Sequence, residues 1–111
     1  LGEDGPTHQP IEMMMQCRAM PNLNTIRPCD GNEVSGAYAI AMDTRDRPSV
    51  LCLSRQGLPV LEGSSLEKVA QGGYVLQDCE GKADIILVGT GSETHLCVDA
   101  KKALSGSKVS A

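Results

Sequence analysis

Three side chains stand where binding chemistry could be done. Asp4 and His8 lie in Gly2-Glu-Asp-Gly-Pro-Thr-His-Gln9, a glycine-punctuated loop ahead of a helix-forming run. Such loops often carry binding groups. The Asp4 carboxylate could accept hydrogen bonds from a sugar hydroxyl. The His8 imidazole could donate to a substrate oxygen or shuttle a proton near neutral pH. The same residue types also suit ordinary capping of the helix that follows. Arg55 comes directly after Ser49-Val-Leu-Cys-Leu-Ser54, a continuous apolar run that reads as a strand. Ligands of open α/β sheets meet the carboxyl ends of strands. A guanidinium there could hold a phosphate or carboxylate with two hydrogen bonds; the alternative is a structural ion pair with a nearby acid. Gly89-Thr-Gly-Ser-Glu93 turns from a second apolar run into a helix. Its amides could bind an anion, but GxG without a third glycine is a weak fingerprint, and a plain tight turn is the other reading. His95, early in the last helix, is expected to be exposed.

Positioning those residues requires a set of helices and strands. Pro10 suits a first helical turn, with Thr7 as candidate cap, and Ile11 to Met20 are good helix formers until Pro21 stops them. Leu23 to Ile26 reads as a brief strand. Asp30 followed three places on by Glu33 resembles a capping box, and Val34, Ala37, Tyr38, Ala41 and Met42 form one apolar helix face. The run 49–54 has the pattern of a strand buried on both faces, as in parallel sheets. Residues 64 to 83 are polar, contain Gly72-Gly73, and predict a crossing segment with short structure only around Tyr74 to Leu76. Asp84 to Gly89 predicts a second buried strand, with Ser92 as cap of a helix whose apolar side is Val98, Ala100, Ala103 and Leu104. Gly106 stops it, and Lys108 to Ala111 would begin another strand. The alternation belongs to the α/β class.

The 111 residues fit one small domain or parts of two. A net charge of −4 argues against a nucleic-acid binder, which would show a basic stripe. No apolar run approaches ~18 residues, so no membrane-spanning helix is expected. Apolar residues make up 41%, a share that reaches about 50% with the glycines counted and the tyrosines left out, so a folded rather than disordered parent is expected. Yet there is no Phe or Trp, and Tyr38 and Tyr74 are the two aromatics besides histidine. So few large side chains close only a thin core. Together with a start at Leu1, this predicts a piece of something larger. The five cysteines form no CxxC and no zinc spacing; they are expected to be reduced, buried thiols of an intracellular protein.

Taken in order, several stretches resemble the transketolase family of thiamine-diphosphate enzymes. Gly2-Glu-Asp-Gly-Pro-Thr-His-Gln-Pro-Ile-Glu12 is similar to the transketolase motif. The resemblance continues through Met20-Pro-Asn-Leu23, Arg27-Pro-Cys-Asp30, Asn32-Glu33, Leu53-Ser-Arg-Gln-Gly-Leu-Pro59, Leu61-Glu-Gly-Ser-Ser65, Gly72-Gly-Tyr-Val-Leu-Gln-Asp78 and Asp84 to Glu93. The front part is shared more loosely by related thiamine enzymes; the stretches at 54–59 and 61–65 are more particular to transketolases and dihydroxyacetone synthase.

The resemblance implies a partial parallel-sheet pyrimidine-binding domain over residues 1–65. An interdomain linker over 66–80 would join it to the first β-α unit of a C-terminal α/β domain over 81–111. It implies a homodimeric, cytoplasmic or organellar enzyme of the pentose phosphate pathway, acting on sugar phosphates, without nucleic-acid or membrane partners. The reaction moves a two-carbon ketol unit from a ketose phosphate to an aldose phosphate, with thiamine diphosphate as electron sink and Mg2+ or another divalent cation. By position, Asp4 and His8 would be substrate-binding, His8 also assisting catalysis, and Arg55 would clamp the sugar phosphate. The family's metal and diphosphate ligands, and the glutamate that activates the aminopyrimidine, have no counterpart in this chain, so no cofactor or metal ligand is assigned in it. The 111 residues alone are expected to be inactive and to leave strand edges exposed. A dihydroxyacetone synthase fragment and a non-catalytic module that binds a partner subunit are the alternatives.

Overall fold

Thr25, Ile26 and Val50 are β-branched, and they lie in two runs that pair as parallel strands. The computed structural model describes residues 5, 7–107 and 109–111. In it β1 (Asn24–Ile26) lies beside β2 (Ser49–Leu51), with Thr25 opposite Val50. The ladder continues at both ends: Asn24 N donates to Pro48 O at 3.0 Å and Cys52 N to Ile26 O at 2.8 Å. Parallel neighbours need a crossover, and the chain between them supplies it as α2 (Gly31–Asp43). Before β1 comes α1 (Met13–Ala19), which packs on β1 but buries none of its residues. After β2 come α3 (Leu66–Val69), a 3-10 turn (Gly91–Glu93) and α4 (Thr94–Leu104). Among the described residues no helix is long and apolar enough to cross a membrane.

The capping box at Asp30 forms and does more than start α2. Asp30 Oδ1 accepts from Glu33 N at 3.0 Å. Glu33 Oε2 reaches back to Cys29 N, one residue before the cap, at 2.8 Å. The second Asp30 oxygen accepts from Leu61 N at 2.9 Å and from the Ser64 hydroxyl at 2.5 Å. The second Glu33 oxygen accepts from the Tyr74 hydroxyl at 2.5 Å. Two adjacent carboxylates thus tie the start of α2 to the loop before α3 and to the segment after it. Asp30 is only 3% exposed. Burial alone would raise its pKa, but the Ser64 hydroxyl and the Glu33 and Leu61 amides outweigh that and hold the carboxyl below its usual range. Burial, then the Glu33 hydrogen bond and charge, push the Tyr74 phenol above its ordinary range. The Cys29 thiol is pushed up to about 12 by burial and then by Glu33 and Asp30.

Several expected elements take a different form. Strand β2 is regular over three residues, all half-buried, because burial on both faces needs strands on both sides and layers above and below. Residues 84–88 do not form a strand: Ile86 and Val88 are each 83% exposed. A strand exists by its partner, and here only a first rung is made, with Asp84 N and Ile85 N donating to Ser110 O at 3.0 and 3.3 Å. The polar stretch after residue 64 holds α3, capped by Ser65, whose hydroxyl accepts from Lys68 N. That helix moves the buried stripe of α2. Gly36 and Ala37 face inward, while Tyr38 and Met42 are exposed. A Cβ on Gly36 would lie 2.6 Å from Leu66 O and 2.8 Å from Val69 Cγ2, so the two helices meet only because that residue is glycine. Thr7 does not cap α1; its hydroxyl bonds the ring of His8, and Glu12 holds the cap position without a side-chain bond. On α4, Val98 is buried, but Ala100 and Ala103 are exposed. Of the five unpaired thiols only Cys29 is buried; the others are half-buried.

Asp30→Ala is expected to lower stability by about 3 kcal/mol, since it removes a helix cap and strands the Leu61 N–H; urea unfolding measures it. The folded carboxyl titrates below its ordinary 3.8. Its contribution is therefore present above that pH and lost as pH falls through the folded value, so the gap between wild type and variant should shrink in acid. Tyr74 has the opposite sign. Its contribution is present below the ordinary 10.0 and lost only as pH rises through the higher folded value. An ultraviolet difference titration of wild type against Tyr74→Phe should show no phenolate signal through the ordinary tyrosine range.

Candidate functional site

Because β1 and β2 are parallel, both carboxyl ends open on one edge of the sheet. Arg55 lies four residues past Leu51 in a bend at that edge, and it is solvent-exposed. His8 lies in an exposed turn before α1, where its backbone N–H donates to Gly5 O at 2.9 Å. Its Nδ1 is 2.9 Å from the Thr7 hydroxyl, so the imidazole's polar partner is its own neighbour. Asp4 lies outside the described residues. His95 is half-buried in the first turn of α4, not exposed as expected.

A second arginine at this edge was not singled out by the sequence. Arg27 immediately follows β1 and reaches across to the turn that precedes α4. Its Nη1 donates to Thr90 O at 2.9 Å and pairs with the Glu93 carboxylate; its Nη2 lies 3.5 Å from Ser92 Oγ. The backbone closes the same contact, with Gly91 N donating to Arg27 O at 3.1 Å. Gly91 has φ +59, and a Cβ there would stand 2.6 Å from Arg27 Nε and 2.7 Å from Cγ. Glycine is thus needed both for the left-handed backbone and for the guanidinium's approach. Arg18 adds a longer contact to the Thr90 hydroxyl at 3.5 Å. The signal for Arg27 was available: it stands after a strand as Arg55 does, and before Pro28.

This geometry decides between the two readings of Gly89-Thr-Gly-Ser-Glu93. The amides of Gly91 and Glu93 are already spent, on Arg27 O and on Thr90 O. A cation, not an anion, sits over the turn. Ser92 does not cap α4 by a backbone bond; its hydroxyl donates to Glu93 Oε1 at 2.9 Å. The Arg27 guanidinium, then the Ser92 hydroxyl, hold the Glu93 carboxyl below its usual range. A cleft of about 470 Å³ opens behind the turn, lined by Arg27, Tyr74, Leu87, Val88, Thr94 and Cys97 among others, but not by His8 or Arg55. Among the described residues no three His, Cys, Asp or Glu side chains are grouped to hold a metal ion. The residues present do not make a complete site for thiamine diphosphate and its cation.

Residues 1–60 match the family model of the transketolase pyrimidine-binding domain, and residues 72–111 that of the transketolase-like C-terminal domain. Transketolase 1 of Saccharomyces cerevisiae is 54% identical over 111 residues, which is 100% of this chain and 16% of that protein. Among solved structures, transketolase of Leishmania mexicana superposes with a TM-score of 0.93 at 50% identity, over 98% of this chain and 16% of its own. The Pichia stipitis transketolase complex with sedoheptulose 7-phosphate gives 0.91 at 55% identity, over 98% of this chain and 16% of its own. The chain therefore spans about a sixth of the relatives it matches. The first matched domain extends over more than half of its residues, and the chain belongs to the transketolase family.

Proposed function

We propose that this chain is part of a transketolase and supplies one side of its sugar-phosphate site. The observation that carries the reading is the unbroken similarity to transketolases over the whole chain, joined to an exposed arginine at the carboxyl edge of a parallel sheet. The reaction is the transfer of a two-carbon ketol unit between sugar phosphates. The full enzyme would work as a cytoplasmic or organellar homodimer of the pentose phosphate pathway, with thiamine diphosphate and Mg2+ or another divalent cation as cofactors. Residues 1–65 are read as the end of the pyrimidine-binding domain, 66–80 as the connection and 81–111 as the start of the C-terminal domain. The relatives compared are transketolases, which does not favour a dihydroxyacetone synthase.

The residues of this chain would bind and orient substrate. Arg55 presents a planar fork that matches two phosphate oxygens. Phosphate is remote from the reacting carbons, so the energy gained there is spent on positioning. His8 has its Nδ1 engaged by Thr7, which leaves Nε2 for a substrate oxygen. Asp4 would accept from a hydroxyl beside the reacting carbonyl and so read its stereochemistry.

In the full-length enzyme, Arg55→Ala should raise KM for phosphorylated acceptors about a hundredfold, the scale of a charge-assisted pair, and change KM for unphosphorylated ones little. Equal effects on both would remove the clamp. Asp4→Ala should narrow the preference between acceptor epimers at the carbon beside the aldehyde; an unchanged ratio of kcat/KM values would remove that role.

A further inference from the structure

The turn at residues 90–93 offers Arg27 three acceptors of different kinds: a carbonyl, a hydroxyl and a carboxylate. A guanidinium meets all three at once because its donors sit on separate nitrogens of a fixed planar fork, which the single nitrogen of a lysine lacks. The glycine at 91 removes the side chain that would collide with it, and its amide returns a bond to the Arg27 carbonyl. These contacts bridge more than sixty residues, from the end of β1 to the start of α4. They also join residues that match two different domain models. The ion pair alone would contribute little, because the Glu93 side chain is 53% exposed. Fit at Gly91 and the carbonyl bond therefore carry the contact more than charge does. The fork of Arg27 is filled by its own chain.

We propose that Arg27 is a positioning residue: it seats the Gly89–Glu93 turn, and α4 behind it, on the same sheet edge from which Arg55 emerges. The kinetic consequence rests on the transketolase reading; the seating does not. Loss of the seat lets the turn move relative to the edge without touching the phosphate site. Chemistry then slows while discrimination for phosphate is kept, the reverse of the Arg55 signature.

The test uses the full-length protein carrying Arg27→Ala, Arg27→Lys, Gly91→Ala, or Arg27→Ala with Gly91→Ala. Hydrogen exchange at the residue-91 amide reads the seat directly, since that group bonds to Arg27 O. Arg27→Ala and Gly91→Ala should each speed exchange about tenfold, and the double variant should be no worse than the worse single, because both act on one contact. Arg27→Lys, which keeps the charge and the fold but loses the fork, should fall between. In the same variants kcat should drop while the ratio of KM for phosphorylated to unphosphorylated acceptors stays at the wild-type value. Unchanged exchange in Arg27→Lys and Arg27→Ala, or additive effects in the double variant, would overturn the seating. A shifted KM ratio would overturn it too, by making Arg27 a phosphate ligand. A wild-type protein with no ketol transfer but with coupled exchange effects would sink the transketolase reading and leave the seat standing.

Discussion

Parallel pairing of Ile26 with Leu51 decides which side chains can meet. Two parallel strands end at one edge, so the residues that follow them leave on the same side of the sheet. Antiparallel pairing would have sent Arg27 and Arg55 to opposite edges. A one-residue slip would be nearly as damaging, since it turns every side chain to the other face. The register is held at both ends, by Asn24 N on Pro48 O and by Cys52 N on Ile26 O. It is also held by the crossover itself, because only four residues separate the end of β1 from the start of α2, which cannot drift far from it.

Polar ties do much of the work that large side chains do elsewhere. Among the described residues the buried apolar side chains are small or medium, namely Pro28, Cys29, Ala37, Val69 and Val98, and no large one is fully buried. What gathers the chain around α2 is a pair of carboxylates with donors converging on them. A buried carboxylate without donors would cost several kcal/mol. Asp30 avoids that by accepting from Glu33, Leu61 and Ser64, and Glu33 by accepting from Cys29 and Tyr74. The same bonds that satisfy the charges fix the path of residues 61–74. Lys68 closes this region further, donating to Gly63 O and lying 5.5 Å from the centre of the Tyr74 ring.

What could be read from the residues was local. Asp30 and Glu33 are three apart, and that spacing alone announces a helix start; α2 begins there. The strand after it was visible as a continuous apolar run, and the one before it as a short mixed stretch bounded by prolines. The second use of Glu33 was not visible, because its partner Tyr74 is 41 positions away and no spacing rule links them. The single turn of α3 is too short to show a helical period, yet it redirected the buried face of α2 onto Gly36. Residues 84–88 have the composition of a strand, but composition does not supply a neighbour. Arg27 and Arg55 look alike in the sequence, each following a strand. What separates them is Gly91, sixty-four positions beyond Arg27, with the bare Cα that admits the guanidinium.

The turn at Gly89–Glu93 shows how one residue can reverse the meaning of a motif. Glycine-rich turns into helices usually favour anions, because their amides and the helix end present partial positive charge. Here Glu93 adds a carboxylate to the turn itself, paired with Arg27, and the neighbouring Ser92 hydroxyl donates to it. The Gly91 and Glu93 amides turn instead to backbone carbonyls. The site becomes attractive to a cation, and Gly91, whose bare Cα would have let a phosphate approach, lets a guanidinium approach. Replacing Glu93 by a neutral residue would remove the repulsion but would not free the amides, so the turn would lose part of its hold on Arg27 without becoming an anion site. The acid at position 93 is therefore what commits the turn to holding the chain's own arginine.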